Sequence, residues 1–145
     1  MSDSISGGLV ADILAGLNGN DVLTGGADAA KFVFNTPLNA TNNVDTITDF
    51  SSAQSDKLML DRTKIFTALP ATLTATEIAV VGSGGATGSV ATGVRLVYES
   101  SSGNLYYDSD GGTSANRTLF ATINATTTPS VTHPGSLAAT DFVLI

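Results

Sequence analysis

The sequence predicts an all-β protein, and three observations support that fold class. Glycine is abundant, with 15 in 145 residues, and only two of the 13 acidic residues are glutamate. Aspartate favours turns, whereas glutamate favours helices. A nine-residue period runs through residues 7–33, and the later apolar segments are short and bounded by turn-forming residues. Short strands joined by tight turns are therefore expected along most of the chain.

Three nine-residue units follow one another over residues 7–33: GGLVADILA, GLNGNDVLT and GGADAAKFV. Each unit begins with glycine, and each has a large apolar residue at position eight (Leu14, Leu23 and Phe32). A glycine-rich turn followed by a short strand at this period predicts a parallel β-roll. One unit alone buries almost nothing, so the units are stable only when they stack.

The units differ at the positions expected to shape the turn. Position six, where a carboxylate could face a neighbouring turn, is Asp12, Asp21 and Ala30. Ala30 cannot ligate a metal, so Asp12 lacks a partner carboxylate if the first and third units share an edge. Position four is Val10 in the first unit, and a β-branched residue there would be strained if the turn required a positive φ. The middle unit, with Gly19 at position four, is the most complete.

The rest of the chain predicts further strands. Residues 44–50 alternate apolar and polar, and residues 56–60 form another strand-like run. Residues 94–98 and 104–108 flank a serine-glycine turn and predict a hairpin, followed by strands at 119–123 and 141–145. Residues 71–81 fit either a short helix or a strand. We expect a roll of about three units with its transition strands over residues 1–61. Residues 62–145 should form a β-sandwich-like cap that closes the roll within one continuous structural domain.

The repeat resembles G-G-x-G-x-D-x-U-x, the calcium-binding repeat of repeats-in-toxin (RTX) proteins, in which U is a large apolar residue. The motif Asp45-x-Ile47-x-Asp49-Phe50, followed by Asp56-Lys57-Leu58, is similar to the segment after the last repeat in RTX proteases and lipases. Residues 66–69, 104–111 and 141–145 resemble the C-terminal target domain of RTX proteins exported by type I secretion. With the repeats, the resemblance covers nearly the whole chain.

The resemblance implies Ca²⁺ as the cofactor, bound between turns of units n and n+2. Calcium takes six to eight hard oxygen ligands, which carboxylates and backbone carbonyls supply. Carried over by position, the candidate metal ligands are Asp12, Gly19, Asp21, Asp28, Asp49 and Asp56. Asp49 and Asp56 are expected to face the turn of Asp21 and complete its site. Met59 stands where the family often has a further aspartate.

The resemblance also implies a function. The chain is expected to be a C-terminal module, bacterial in origin, that folds on binding calcium and directs type I secretion of a larger extracellular enzyme or adhesin. Its expected partners are the secretion ABC transporter, through the C-terminal tail, and an upstream catalytic or adhesive domain. The expected location is extracellular, without an N-terminal signal peptide. The alternative is a calcium-independent structural or adhesive β-module whose repeats have decayed.

Several other function classes are not expected. The net charge is −7 and there is no basic stripe for nucleic acid. No apolar run is long enough to span a membrane. Walker A, zinc and G-x-S-x-G motifs are missing, and the only histidine is His133, so we expect no enzyme activity. Asp108-x-Asp110-Gly111 fails the EF-hand pattern and predicts a hairpin turn capped by an aspartate side chain.

Overall fold

The computed structural model describes residues 1–112, 117–123 and 134–145. Its strands form two sheets, and the described residues contain no α-helix. In spatial order, the larger sheet contains β1 (Ser4–Gly8), β3 (Val22–Gly26), β5 (Asp45–Ile47), β10 (Arg117–Ile123), β9 (Asn104–Asp108), β8 (Leu96–Glu99) and β7 (Ile78–Val81). The smaller sheet contains β11 (Phe142–Leu144), β6 (Lys57–Leu60), β4 (Lys31–Phe34) and β2 (Ile13–Leu14). The predicted all-β class is confirmed.

Successive strands from β1 to β6 go alternately to the two sheets. In the larger sheet β1 pairs with β3, and β3 with β5, all in parallel. In the smaller sheet β2 pairs with β4, and β4 with β6, again in parallel. Each strand therefore pairs with the next but one along the chain. This arrangement brings together the turns that are two units apart.

Position eight of the repeat forms the centre of the core. Leu23 and Phe32 are completely buried, and Leu14 is buried as well. Register extends the same column into the next strands, where Ile47 pairs with Leu23 and Leu58 pairs with Phe32. Residues at position seven point the other way, because side chains alternate along a strand.

The second half of the chain packs against the same core. Phe120 on β10 makes edge-on ring contacts with Phe34, at 5.2 Å between centroids, and with Phe66, at 5.0 Å. One cluster of buried apolar side chains includes residues from both halves. β10 also joins the repeat strands directly, in parallel with β5 and antiparallel to β9.

Most of the later strand predictions are confirmed. β8 and β9 form the antiparallel hairpin, and the C-terminal strand β11 pairs in parallel with β6. The ambiguous segment 71–81 contains both elements: a 3₁₀ helix at Ala75–Glu77, capped by Thr74, runs into β7. No helix among the described residues is long and apolar enough to cross a membrane.

Candidate metal site at the turns of the repeats

The repeat turns need a left-handed backbone at position two. The φ angles there are 126° at Gly8, 68° at Leu17 and 100° at Gly26. Glycine adopts these conformations freely, but leucine does not. Val10 does not have a positive φ, so the expected strain at position four of the first unit is wrong. The strained residue is instead Leu17, in the unit that appeared most complete.

The turns stack along two edges. The Asp21 edge comprises residues 1–3, 15–21 and 35–45, and the Asp12 edge comprises residues 9–12, 27–30 and 48–56. Backbone hydrogen bonds fix this stacking. Val22 N donates to Asp3 O and Thr46 N to Asp21 O on the first edge. Lys31 N donates to Asp12 O and Lys57 N to Ala30 O on the second.

Carboxylates connect successive turns of the Asp21 edge. Asp21 Oδ1 accepts a 2.6 Å hydrogen bond from the backbone N–H of Asp3. Asp45 Oδ1 in turn accepts a 3.1 Å hydrogen bond from the backbone N–H of Asp21. Asp21 and Asp45 are buried, whereas Asp3 is exposed. Each buried carboxylate therefore bonds the peptide at the same position of the preceding turn.

The other oxygen of Asp21 has no hydrogen-bond partner. Asp21 Oδ2 is buried and lies over Gly16, at position one of its own unit, where an added Cβ would approach it to 2.5 Å. Asp12 repeats this arrangement, with a buried, unpartnered Oδ2 that a Cβ on Gly7 would approach to 2.6 Å. A buried carboxylate oxygen without a donor is costly. A bound cation would remove that cost.

Asp56 belongs to the Asp12 edge. Its Oδ1 accepts from the N–H of Ala30 and its Oδ2 from the N–H of Ser51, both at 2.8 Å. Asp56 thus occupies the same place relative to Ala30 as Asp21 does to Asp3. Both of its oxygens are bonded to backbone.

Asp49 also bonds the third unit. Its two oxygens accept hydrogen bonds from the N–H groups of Gly25 and Gly26, each at 2.8 Å. The expectation that Asp49 and Asp56 face the turn of Asp21 is therefore wrong. The loop at residues 35–44 lengthens the connection from β4 to β5, and the turn that follows β5 stacks on the third unit.

The remaining candidates take no part in these carboxylate hydrogen bonds. Gly19 has a φ of 145° and donates its N–H to Asn43 Oδ1 at 3.0 Å. An added Cβ on Gly19 would collide with the backbone oxygen of Met1. Asp28 is exposed in the turn between β3 and β4. Met59 is half-buried on β6, and His133 lies outside the described residues.

The buried carboxylates carry an electrostatic cost. Burial raises the pKa of Asp45 to about 6, and the nearby Asp21 carboxylate adds to that rise, while the hydrogen bond from the Asp21 N–H opposes it. Burial likewise raises the pKa of Asp56, although the two backbone N–H groups that donate hydrogen bonds to it lower the pKa. Neutralisation by a proton or a cation would therefore favour the folded state on both edges.

Within the part of the chain that the structure describes, no three or more His, Cys, Asp or Glu side chains are grouped to hold a metal ion. A metal at these turns would depend mainly on backbone carbonyls, with one unpartnered carboxylate oxygen from Asp12 or Asp21. That donor set is entirely hard oxygen, which suits calcium and not zinc or copper. The residues present therefore fit calcium better than any thiolate- or imidazole-binding metal.

Sequence reasoning missed two residues of the Asp21 edge, Asp3 and Asp45. Asp3 lies nine residues before Asp12, so extending the period one unit back would have found it. Asp45 was noted in the motif after the repeats but not assigned to a site. The nine-residue period does not reveal the place of Asp45, because Asp45 follows Asp21 by 24 residues whereas Asp21 follows Asp3 by 18.

The aspartate turn of the cap is as expected. Asp108 Oδ1 accepts hydrogen bonds from the N–H groups of Asp110, at 3.2 Å, and Gly111, at 2.8 Å. Asp108 Oδ2 forms a fully buried ion pair with Arg117 Nε at 3.0 Å. Arg117 also donates to the carbonyls of Gly85 and Gly88, which ties the loop after β7 to β10.

Comparison with known proteins adds no relative: no protein-family model matches the chain, and no curated protein matches it significantly.

Proposed function

We propose that the chain is a calcium-binding module of the RTX type, in which strands β1–β6 form a short parallel β-roll. The observation that carries the proposal is the pair of buried, unpartnered oxygens, Asp12 Oδ2 and Asp21 Oδ2, at equivalent turns. Because the two oxygens lie at equivalent turns, chance packing of one side chain does not explain why both lack a partner. The alternating parallel strands and the buried position-eight column support the roll.

Calcium is the cation that this donor set favours. Asp21 Oδ2, with carbonyl oxygens of its own turn at residues 16–19, would hold the better site. Asp12, with the turn at residues 7–10, would hold a weaker one, because Ala30 provides no carboxylate to the same edge. When bound, calcium would supply the positive charge that the buried carboxylates lack. It would bind only the folded chain and so stabilise it by mass action.

Calorimetric titration with calcium tests the proposal. Asp21→Asn is the informative variant, because its carbonyl oxygen can keep the hydrogen bond from Asp3 N–H while an amide NH₂ replaces the free oxygen. We expect this variant to lose at least about tenfold in affinity at the stronger site, about 1.4 kcal/mol. Asp28→Asn, at an exposed turn aspartate, is the matched control and should bind as the wild type does. Equal binding by wild type and Asp21→Asn would refute the assignment.

We further propose that the C-terminal tail directs type I secretion of a larger extracellular protein. In the folded state the tail is bonded to the end of β6, because Ile145 N donates to Leu60 O and Arg62 N donates to Ile145 O. Asp141 is buried and accepts a 2.8 Å hydrogen bond from Ala138 N–H, so changing it would affect folding as well as any signal. A transporter would therefore recognise the tail before the chain folds.

The secretion test must separate signal from stability. A passenger fused upstream is expressed in cells with a type I system, and deletion of residues 142–145 should abolish its export. Arg117→Met, which removes a buried ion pair but leaves the tail intact, is the control for destabilisation and should be exported. Export of the deletion variant at the wild-type level would exclude this role for the tail.

One observation favours the alternative, a structural or adhesive module that needs no calcium. Asp49 and Asp56 use all four of their oxygens to accept backbone hydrogen bonds, and Asp21 and Asp45 each accept one. These bonds connect the turns without any metal. Under this alternative, thermal unfolding followed by circular dichroism would be the same in EGTA and in millimolar calcium.

A further inference from the structure

Asn18 and Gly19 form the one Asn-Gly pair in the sequence, and they lie in the turn of the second unit on the Asp21 edge. In such a pair the backbone nitrogen of the glycine can attack Cγ of the asparagine, because glycine has no Cβ to shield that nitrogen. The new bond joins Gly19 N to Asn18 Cγ and closes a succinimide ring. The Cγ–Nδ2 bond breaks, and the backbone amide proton leaves with the side-chain nitrogen as ammonia. Water then opens the ring at either of its carbonyl groups, which gives aspartate or isoaspartate.

The two residues of this pair have opposite surroundings in the fold. Asn18 is exposed, whereas Gly19 is buried. The N–H of Gly19, the group that would attack, donates a 3.0 Å hydrogen bond to Asn43 Oδ1. In the succinimide, Asn18 Cγ takes the position on the nitrogen that the proton had, and Asn43 Oδ1 occupies that side. The hydrogen bond therefore both retains the proton and blocks the approach of Cγ.

The acceptor is itself held in place. Asn43 Nδ2 donates hydrogen bonds to Thr36 Oγ1 at 3.0 Å and to Pro37 O at 2.8 Å. An amide group has its donor and its acceptor on different atoms, so these two bonds fix which atom faces Gly19. The oxygen is left to meet the Gly19 N–H.

The backbone on both sides of Asn18 is held as well. Leu17 O accepts a 2.8 Å hydrogen bond from Thr36 Oγ1. Gly19 packs so closely on Met1 that an added Cβ would collide with the backbone oxygen of Met1. These contacts restrict the movement that would bring Gly19 N and Asn18 Cγ within bonding distance.

We propose that Asn18 is a site of spontaneous deamidation and that Asn43 protects it in the folded chain. Where the turn opens or the chain unfolds, Gly19 N loses its acceptor and Asn18 converts, with water as the only co-reactant. Isoaspartate adds a backbone atom within a turn that is stacked between two others, so the modified chain would not restore the hydrogen bond to Asn43. The inference does not rest on calcium binding, since only amide groups take part in the protecting contact.

The test follows deamidation at Asn18 by mass spectrometry of the digested protein after incubation at mildly alkaline pH, with isoaspartate separated from aspartate by chromatography. The wild type is incubated in the buffer, with calcium or with EGTA, in which circular dichroism shows it to be folded. It should deamidate at least about tenfold more slowly there than in urea, a comparison that needs no variant. Asn18→Gln should remove the signal, because glutamine would have to close a larger ring. Equal rates in the folded and unfolded protein, or no reaction at Asn18 in urea, would overturn the proposal.

Variants of Asn43 test the protecting hydrogen bond. Asn43→Ala removes the acceptor and should raise the rate about fivefold, the factor that corresponds to the net strength of one hydrogen bond. Asn43→Asp keeps an acceptor oxygen and should react more slowly than Asn43→Ala. Hydrogen exchange at the Gly19 amide should be faster in Asn43→Ala than in the wild type.

Asn20→Ala is the matched control for a loosened loop. Asn20 bonds the same loop through Thr41 O and Val44 N, but it leaves the Gly19 N–H untouched. This variant should deamidate at Asn18 at the wild-type rate. Equal acceleration by Asn20→Ala and Asn43→Ala would show that movement of the loop decides the rate, and Asn43 would then not be the protecting residue.

Discussion

Asp49 is the aspartate at which a structural role and a metal-binding role can be distinguished most clearly by mutation. Its two oxygens accept hydrogen bonds from Gly25 N and Gly26 N at 2.8 Å. Hydrogen bonds to a charged group contribute about 1.5–3 kcal/mol each, and these two are only partly buried, so the lower end of the range applies. Asp49→Ala should therefore lower the free energy of unfolding by about 3 kcal/mol. For a chain of this size that corresponds to a fall in Tm of roughly 6–12 °C.

The assay is urea unfolding in EGTA, followed by circular dichroism, with calcium titration of the folded variant beside it. Asp49→Asn keeps one acceptor and should lose about half as much stability. Asp28→Ala, at an exposed aspartate, should change stability by less than about 0.5 kcal/mol. Calcium affinity should stay at the wild-type value in Asp49→Ala. An unchanged stability together with a lost calcium site would show that Asp49 is a metal ligand and not a structural aspartate.

Three further predictions concern the turns and the cap. Leu17→Gly should raise the free energy of unfolding, measured in urea, by less than about 1 kcal/mol. Glycine removes the backbone strain of a left-handed leucine, about 1–2 kcal/mol, but it also makes the unfolded chain more flexible, which offsets part of that gain. A net loss of stability would contradict this prediction. Arg117→Met should cost about 3–5 kcal/mol, because it leaves the buried Asp108 carboxylate without its cation; a loss below about 1 kcal/mol would count against a structural ion pair. Asp45→Asn in EGTA should be more stable than wild type near pH 7. The pKa of Asp45 is about 6 in the folded state and 3.8 for an unperturbed aspartate, so the ionised carboxylate destabilises the folded state. The difference in stability should shrink as pH falls from about 6 towards 4, because the folded wild type binds a proton at Asp45 before the unfolded chain does. A difference that does not depend on pH would show that Asp45 does not titrate in this range.

The core of the repeats could be predicted because it depends on local pattern. A large apolar residue every nine positions must face inward if the units stack, and Leu14, Leu23 and Phe32 do so. The β8–β9 hairpin was equally accessible, since two apolar runs flank a short serine-glycine turn. Both predictions need only residues close together in sequence.

The pairing of the turns could not be predicted, because it depends on loop lengths. The connection from β4 to β5 is longer than a repeat, and nothing local in residues 35–44 says how its ends are placed. Asp49 and Asp56 were therefore assigned to the wrong edge. The strain was also misplaced, since the backbone of the stacked turns, and not the identity of Val10, decides that position two carries the positive φ at Leu17.

A crystal structure of the chain grown in millimolar calcium would show whether calcium binds at the turn of Asp21. We expect an anomalous-difference peak about 2.3–2.6 Å from Asp21 Oδ2 and from carbonyl oxygens of residues 16–19. The hydrogen bond from Asp3 N–H to Asp21 Oδ1 should remain in that structure. A turn without such a peak, or calcium found only on the exposed Asp28, would show that Asp21 does not hold a calcium site.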